Sequence, residues 1–175
     1  MIYLCGMIKS TKTDASCVLV EFLYDMSELV SMVSDRTVSV AAIMVDDGGD
    51  HIEQLSATED NTWELHRYAD EAWGYVTAMT RAYHHCAPTQ CDRDGVTQHY
   101  QIVLTMPKTW DQPSVIPLDN GIRDYMMATI LRRWWLAKGN ADQAAVAQEQ
   151  MERAEREVRY SLNARIRCGR ASQWI

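Results

Sequence analysis

Apolar and polar positions change their period several times along the chain, and each change predicts an element. Residues 17 to 24 (CVLVEFLY) are β-branched, aromatic and apolar, which predicts a short buried strand. Asp25 or Ser27 can cap a short helix from Glu28 to about Asp35, with Leu29, Val30, Met32 and Val33 on its apolar side. Thr37 to Val45 (TVSVAAIMV) fits either a strand or a continuation of that helix, because periodicity does not separate the two. Asp46-Asp47-Gly48-Gly49-Asp50 then reads as a turn.

A capping-box pattern, Ser56 with Glu59 three residues on, predicts a long helix over about 58 to 85. Leu65, Ala69, Ala72, Val76, Met79 and Tyr83 recur along it at alternating spacings of four and three, a seam for another helix on a rod about 40 Å long. Cys86 to Gly95 reads as a loop, Val96 to Met106 as a strand stopped by Pro107, and Lys108 to Pro117 as an irregular connector. Asp119 or Asn120 is expected to cap a second long helix reaching about Lys138, with Gly139 as its left-handed stop. Asn140 caps a third helix, with Gln143 at its third position, so the last two helices form an αα-hairpin. Ala144, Ala147, Met151, Ala154, Val158, Ser161 and Arg165 follow heptad-like spacing there. Glu152, Arg153, Glu155, Arg156, Glu157 and Arg159 form a charge-paired outer face. The fold class expected is α+β, mostly α: a long-helix bundle with a terminal αα-hairpin and a small strand component. It comprises an N-terminal extension (1–16), one domain (17–167) and a C-terminal tail (168–175).

With 175 residues and ordinary apolar and charged fractions (47% and 23%), the chain suits one globular domain. The net charge of -7 argues against coating nucleic acid with the whole surface. That charge is uneven: residues 1 to 118 hold 7 basic and 17 acidic groups, and residues 119 to 175 hold 10 basic and 7 acidic. Five irregularly spaced cysteines fit reduced thiols in a cytoplasm, the apolar opening lacks the plan of a signal peptide, and no apolar run is long enough to span a bilayer. Met7 is an alternative start. One Phe beside eight Tyr, six Trp and ten Met is a mixture suited to interfaces as well as cores.

Candidate chemistry is sparse. His84, His85, Cys86 and Cys91 are zinc-type ligands, but Cys-x4-Cys without a second close pair departs from finger and ribbon patterns, and a helix end capped by imidazoles is the favoured reading. Asp46, Asp47 and Asp50 lack the register of a calcium loop. Glu64 and His66 have the wrong spacing for a di-iron helix, and neither a nucleophile elbow nor a phosphate loop is present. No catalytic residue, metal or cofactor is expected. Adjacent Trp134 and Trp135 diverge by about 100 degrees on a helix, which favours packing over base stacking, one in the core and the other against a neighbouring element or subunit. Arg165, Arg167 and Arg170 with Trp174 form a basic, aromatic tail that reads either as a frayed end or as an arm that docks on a partner.

A strand and helix, the stretch Ser-Ala-Thr-Glu-Asp before a long helix with Trp73, the strand HYQIVLTMP, the Trp110-Asp111 loop, then LDNGIRDYMMATILRRWW before an Ala/Glu/Arg-rich helix resemble small head-to-tail connector proteins of tailed bacteriophages, most of all a version carried by prophages of gut bacteria. The likeness covers roughly residues 17 to 167 in the order of elements and lies mainly in the last two helices. The DDGGD turn and the His/Cys loop have no place in the family scheme. The resemblance implies a non-enzymatic virion component, made in the bacterial cytoplasm, that forms a homo-oligomeric ring between portal and neck or tail proteins, with DNA passing nearby without sequence-specific binding. On that reading segment 46 to 60 faces the lumen or a neighbouring subunit. Trp73, Tyr125, Trp134 and Trp135 are expected as packing anchors, some shared between subunits, with Arg167, Arg170 and Trp174 in the partner arm. Rival expectations are a small helical adaptor or regulator binding protein or DNA, and a metal enzyme built on the His/Cys cluster.

Overall fold

A computed structural model describes residues 11–13, 17–44, 55–57, 61–93 and 96–166. Four antiparallel strands form one sheet: β1 (Thr11–Thr13), β2 (Cys17–Asp25), β3 (Thr89–Arg93) and β4 (Val96–Pro107), in the spatial order β1-β2-β4-β3. The β2–β4 pairing sets Val18, Val20, Phe22 and Tyr24 directly opposite Met106, Leu104, Ile102 and Tyr100, and all eight are buried. A slip of one residue would turn both rows to the other face, so burial itself holds the register. Residues 89–93, expected as loop, are a strand because β4 supplies the partner: Thr89 pairs with Gln101 and Cys91 with His99, before a register shift at Cys91/Asp92.

Four long helices surround one side of this sheet among the described residues: α1 (Met26–Met44), α2 (Thr62–Thr80), α3 (Val115–Ala137) and α4 (Ala141–Asn163). The protein is thus mostly helical α+β. Asp25 caps α1, its Oδ1 accepting from the Ser27 amide at 2.7 Å and the Ser27 hydroxyl at 2.6 Å. The ambiguous stretch from Thr37 continues α1 to Met44, while the Asp46–Asp50 turn lies outside the described residues. Buried Thr37 accepts at Oγ1 from the Ala57 amide at 2.9 Å, and the Ser34 hydroxyl donates to the Ala57 carbonyl at 2.6 Å. Ser56 therefore belongs to a short segment pinned on α1, not to the cap of α2. The N-cap of α2 is Asn61, and the helix runs 19 residues, about 28 Å rather than 40 Å, before a 3₁₀ turn at Arg81–Tyr83. Its expected seam is real: Leu65, Ala69, Ala72 and Val76 are buried.

The start of α3 corrects the expected cap at Asp119 or Asn120. A 3₁₀ turn at Gln112–Ser114 leads into a helix from Val115, with Pro117 tolerated in the first turn where its missing amide is not needed. Gly139 stops α3 with φ +72, and Asn140 Oδ1 accepts from the Gln143 amide at 3.0 Å, so the αα-hairpin forms as expected. Closeness of the two helices depends on Gly121: a Cβ there would lie 3.0 Å from Val158 Cγ2 and 3.3 Å from the Val158 amide nitrogen. The far end is clamped by fully buried Trp110, whose Nε1–H donates to the Ser161 carbonyl at 2.8 Å, while the Ile166 amide donates to the Thr109 carbonyl at 2.8 Å.

Candidate functional site: a groove beside the central helix

Helix α3 lies at the centre of the helical layer and is buried nearly all round. From Leu118 to Leu131 its exposed positions are Asn120 and Asp124, with Ile116 exposed one turn before them and Met127 half-buried one turn after. This stripe opens into a groove with α1 on one side and α4 on the other. A cavity of about 400 Å³ is lined by Arg36, Asp124, Met127, Ala128, Leu131, Arg153 and Glu157, and a second of about 310 Å³, sharing Arg36 and Met127, reaches Met32 and Ser39. Helical spacing extends both flanking walls into exposed apolar side chains: Ile43 (81% exposed) continues the α1 wall, and Tyr160 (73%) continues the α4 wall.

The groove mixes both charges over an apolar floor. Arg36, Asp124, Arg153 and Glu157 form no ion pair with other described residues. Crowding by protein raises the pKa of Asp124 through desolvation, opposed by the pull of Arg123 and then Arg153. Two further charge pairs are made at α3, the Arg123–Asp119 pair at 2.8 Å within the helix and the Arg133–Glu71 pair to α2.

The aromatic residues singled out from sequence are core anchors. Trp73 stacks on Tyr100 (5.0 Å between ring centroids) and meets Tyr24 edge-on (6.2 Å). Trp134 donates from Nε1 to the Leu55 carbonyl at 2.9 Å. Trp73, Tyr125, Trp134 and Trp135 are at most 6% accessible, so none offers a surface to a partner or a base, and both adjacent tryptophans lie in the core. Burial raises the pKa of the Tyr125 phenol, reinforced by Glu155 and Tyr75. Arg167, Arg170 and Trp174 lie outside the described residues.

Among the described residues, three exposed aromatics were not singled out by the sequence pattern, Trp63, Tyr75 and Tyr160, and of these Trp63 is 68% accessible at the start of α2. The Arg67 guanidinium sits 5.7 Å from its ring centroid and 5.3 Å from that of Tyr68. The signal was available: Trp63 falls off the Leu65–Ala69–Ala72–Val76 seam, on the opposite side of the helix.

The histidines of the His/Cys cluster diverge. His84 Nε2 lies 2.9 Å from Thr80 Oγ1, and burial with Arg81 nearby lowers its pKa. His85 Nδ1 lies 3.1 Å from Thr105 Oγ1, and Cys86 is exposed. The Cys91 side chain lies outside the described residues, and among those described no three His, Cys, Asp or Glu side chains are placed to share a metal. No described helix is long and apolar enough to cross a membrane.

This geometry defines the class, an α-rich α+β fold with a helix-walled groove. No protein-family model, curated protein or solved structure matches the chain.

Proposed function

We propose that the chain is a structural, non-enzymatic subunit of a phage head-to-tail connector, assembling into a ring between portal and tail through which DNA passes. The observation that carries this reading is the terminal αα-hairpin. Its aromatic-rich inner helix and charged outer helix, in the order of the connector resemblance, leave an open, amphipathic groove along one side of the bundle. A helix-walled groove with an apolar floor and charged rims suits a protein partner. The uneven charge supports the same reading. Acidic residues outnumber basic ones before residue 119, and carboxylates along a channel let a phosphate backbone slide where lysines would retain it.

The test is molar mass by light scattering on the purified chain, alone and mixed with candidate portal and neck proteins, followed by electron microscopy of any large species. Closed rings with central symmetry are the expected result. A chain that stays monomeric and ignores those partners overturns the reading in favour of a small helical adaptor. Duplex DNA binding with a steep salt dependence would then point to the DNA-binding form of that adaptor.

A further inference from the structure

We infer that, in the assembled ring, the outer face of α2 of one copy seats in the groove between α1, α3 and α4 of the next; this inference rests on the ring reading. Helix α3 shows why the groove asks for a helix. It is enclosed by α2, α4, α1 and the sheet except along the Ile116–Asn120–Asp124–Met127 stripe, so among the described residues the bundle position beside that stripe is open. Arg133 and Tyr125 of α3, which face Glu71 and Tyr75 of α2, project about 135° and about 145° from the midline of the stripe, one on each side of the point opposite it, at 100° per residue. The groove and α2 therefore lie on opposite sides of the central helix. A contact between two different faces of identical chains is heterologous and propagates head to tail, which is the contact a ring requires.

The outer face of α2 has the features of an occupant. Trp63, Arg67, Asp70, Gly74 and Ala78 recur at helical spacing, and all are exposed. Trp63 is the side chain of the type that dominates interface energetics, and the 400 Å³ cavity floored by Met127, Ala128 and Leu131 is of a size to take it. Gly74 is the second feature. A Cβ there would meet nothing within 4 Å, so packing among the described residues has no use for a glycine in mid-helix, where it costs stability. Close approach of a neighbouring helix does use one. Charge fits as well: the groove offers Arg36 and Arg153 beside Asp124 and Glu157, and α2 brings exposed Glu64 beside Arg67, while the Asp70 carboxylate is held at Oδ1 by the Tyr100 hydroxyl at 2.7 Å. Each sign on one face finds its opposite on the other.

The test uses the full chain. Trp63→Glu and Gly74→Leu alter only exposed positions, so the unassembled chain is expected to keep its melting temperature in Trp63→Glu and to rise by a few degrees in Gly74→Leu through helix propensity, while each change weakens ring association by about 30-fold or more. In parallel, a benzophenone amino acid replaces Trp63, and light and ¹⁵N-labelled chains are mixed before irradiation. Mixed-isotope adducts on peptides of α1, α3 or α4 that contain Met32, Met127 or Arg153 are the expected result. Rings that form normally with both variants, or adducts that map to another face, overturn this interface and leave the ring reading standing. A parent chain that forms no ring with any partner overturns both.

Discussion

Two glycines in the middle of helices, Gly121 in α3 and Gly74 in α2, allow the closeness of the αα-hairpin to be weighed against a built-in control. Replacing either by Ala improves helix propensity by about 0.8–1 kcal/mol. At Gly74 the new methyl meets open space, so the whole gain should appear as added stability. At Gly121 it meets Val158 Cγ2 at 3.0 Å and the Val158 amide nitrogen at 3.3 Å, closer than ordinary contact. The valine methyl cannot turn away cheaply, because a β-branched side chain in a helix is nearly confined to one rotamer, and the nitrogen moves only if α4 moves. Overpacking of this kind costs about 1–3 kcal/mol, which offsets the propensity gain and leaves Gly121→Ala neutral to about 2 kcal/mol destabilised. For a domain of this size 1 kcal/mol shifts Tm by about 2–4 °C, so the two variants should differ by roughly 2–12 °C. Thermal unfolding of dilute chain by far-UV circular dichroism reads the difference. A second Val158→Ala change should recover part of the Gly121→Ala loss. If Gly121→Ala stabilises as much as Gly74→Ala, the two helices do not approach as closely as described, and the reasoning fails.

Trp110→Phe should cost about 1–2 kcal/mol in urea unfolding through loss of the bond to the Ser161 carbonyl, and Trp110→Ala about 3–5 kcal/mol; a Trp110→Phe variant as stable as the parent would show that the indole N–H contributes nothing. Asp119→Ala removes the carboxylate that pairs with the largely buried Arg123 guanidinium and should cost about 3 kcal/mol, while Asp119→Leu combined with Arg123→Met should cost less than the single change. Burial lowers the pKa of His66, against an opposing pull from Asp70, and that of His84, where Arg81 adds to it. A histidine with a folded pKa below its unfolded 6.5 contributes stability that is present above the unfolded value and lost as pH falls through the folded one. Tm should therefore drop on going from neutral to mildly acid pH, with a shallower slope in His66→Gln and His84→Gln; an unchanged slope in both would refute the assignment.

What could be read in the sequence follows from the range of the interactions. Gly139, Asn140 and Gln143 make a turn by bonds only a few residues apart, so local chemistry predicts it, and the apolar β-branched run of β2 and the seams of α2 and α4 likewise need only their own stretch of chain. The failures each involve a distant partner. Residues 89–93 lack strand-like alternation and become β3 because β4 runs beside them. Ser56 mimics a cap, yet Thr37 and Ser34 draw its segment onto α1. Helix α1 runs on past Asp35 because Thr37 and Ala41 find burial against the rest of the fold, which the run TVSVAAIMV does not announce. The aromatic anchors were visible as types but not as places: Trp134 and Trp135 are both enclosed because α3 is central, whereas Trp63 stands outside.

The pairing of β2 with β4 also sets a schedule for the newborn chain. Strand β2 leaves the ribosome with Val18, Val20 and Phe22 bare, and its partner residues 99–107 follow about 80 positions later. At translation speeds of about 5–20 residues per second, that interval is roughly 4–16 s. During it the strand can pair with β1 on one edge, but its β4 edge has no partner except another nascent copy or a holding chaperone. A protein made in many copies at once, as a ring subunit would be, is most exposed to aggregation in those seconds, and polar substitutions on the sheet's other face at Leu19 or Leu23 should raise its soluble yield without entering the core.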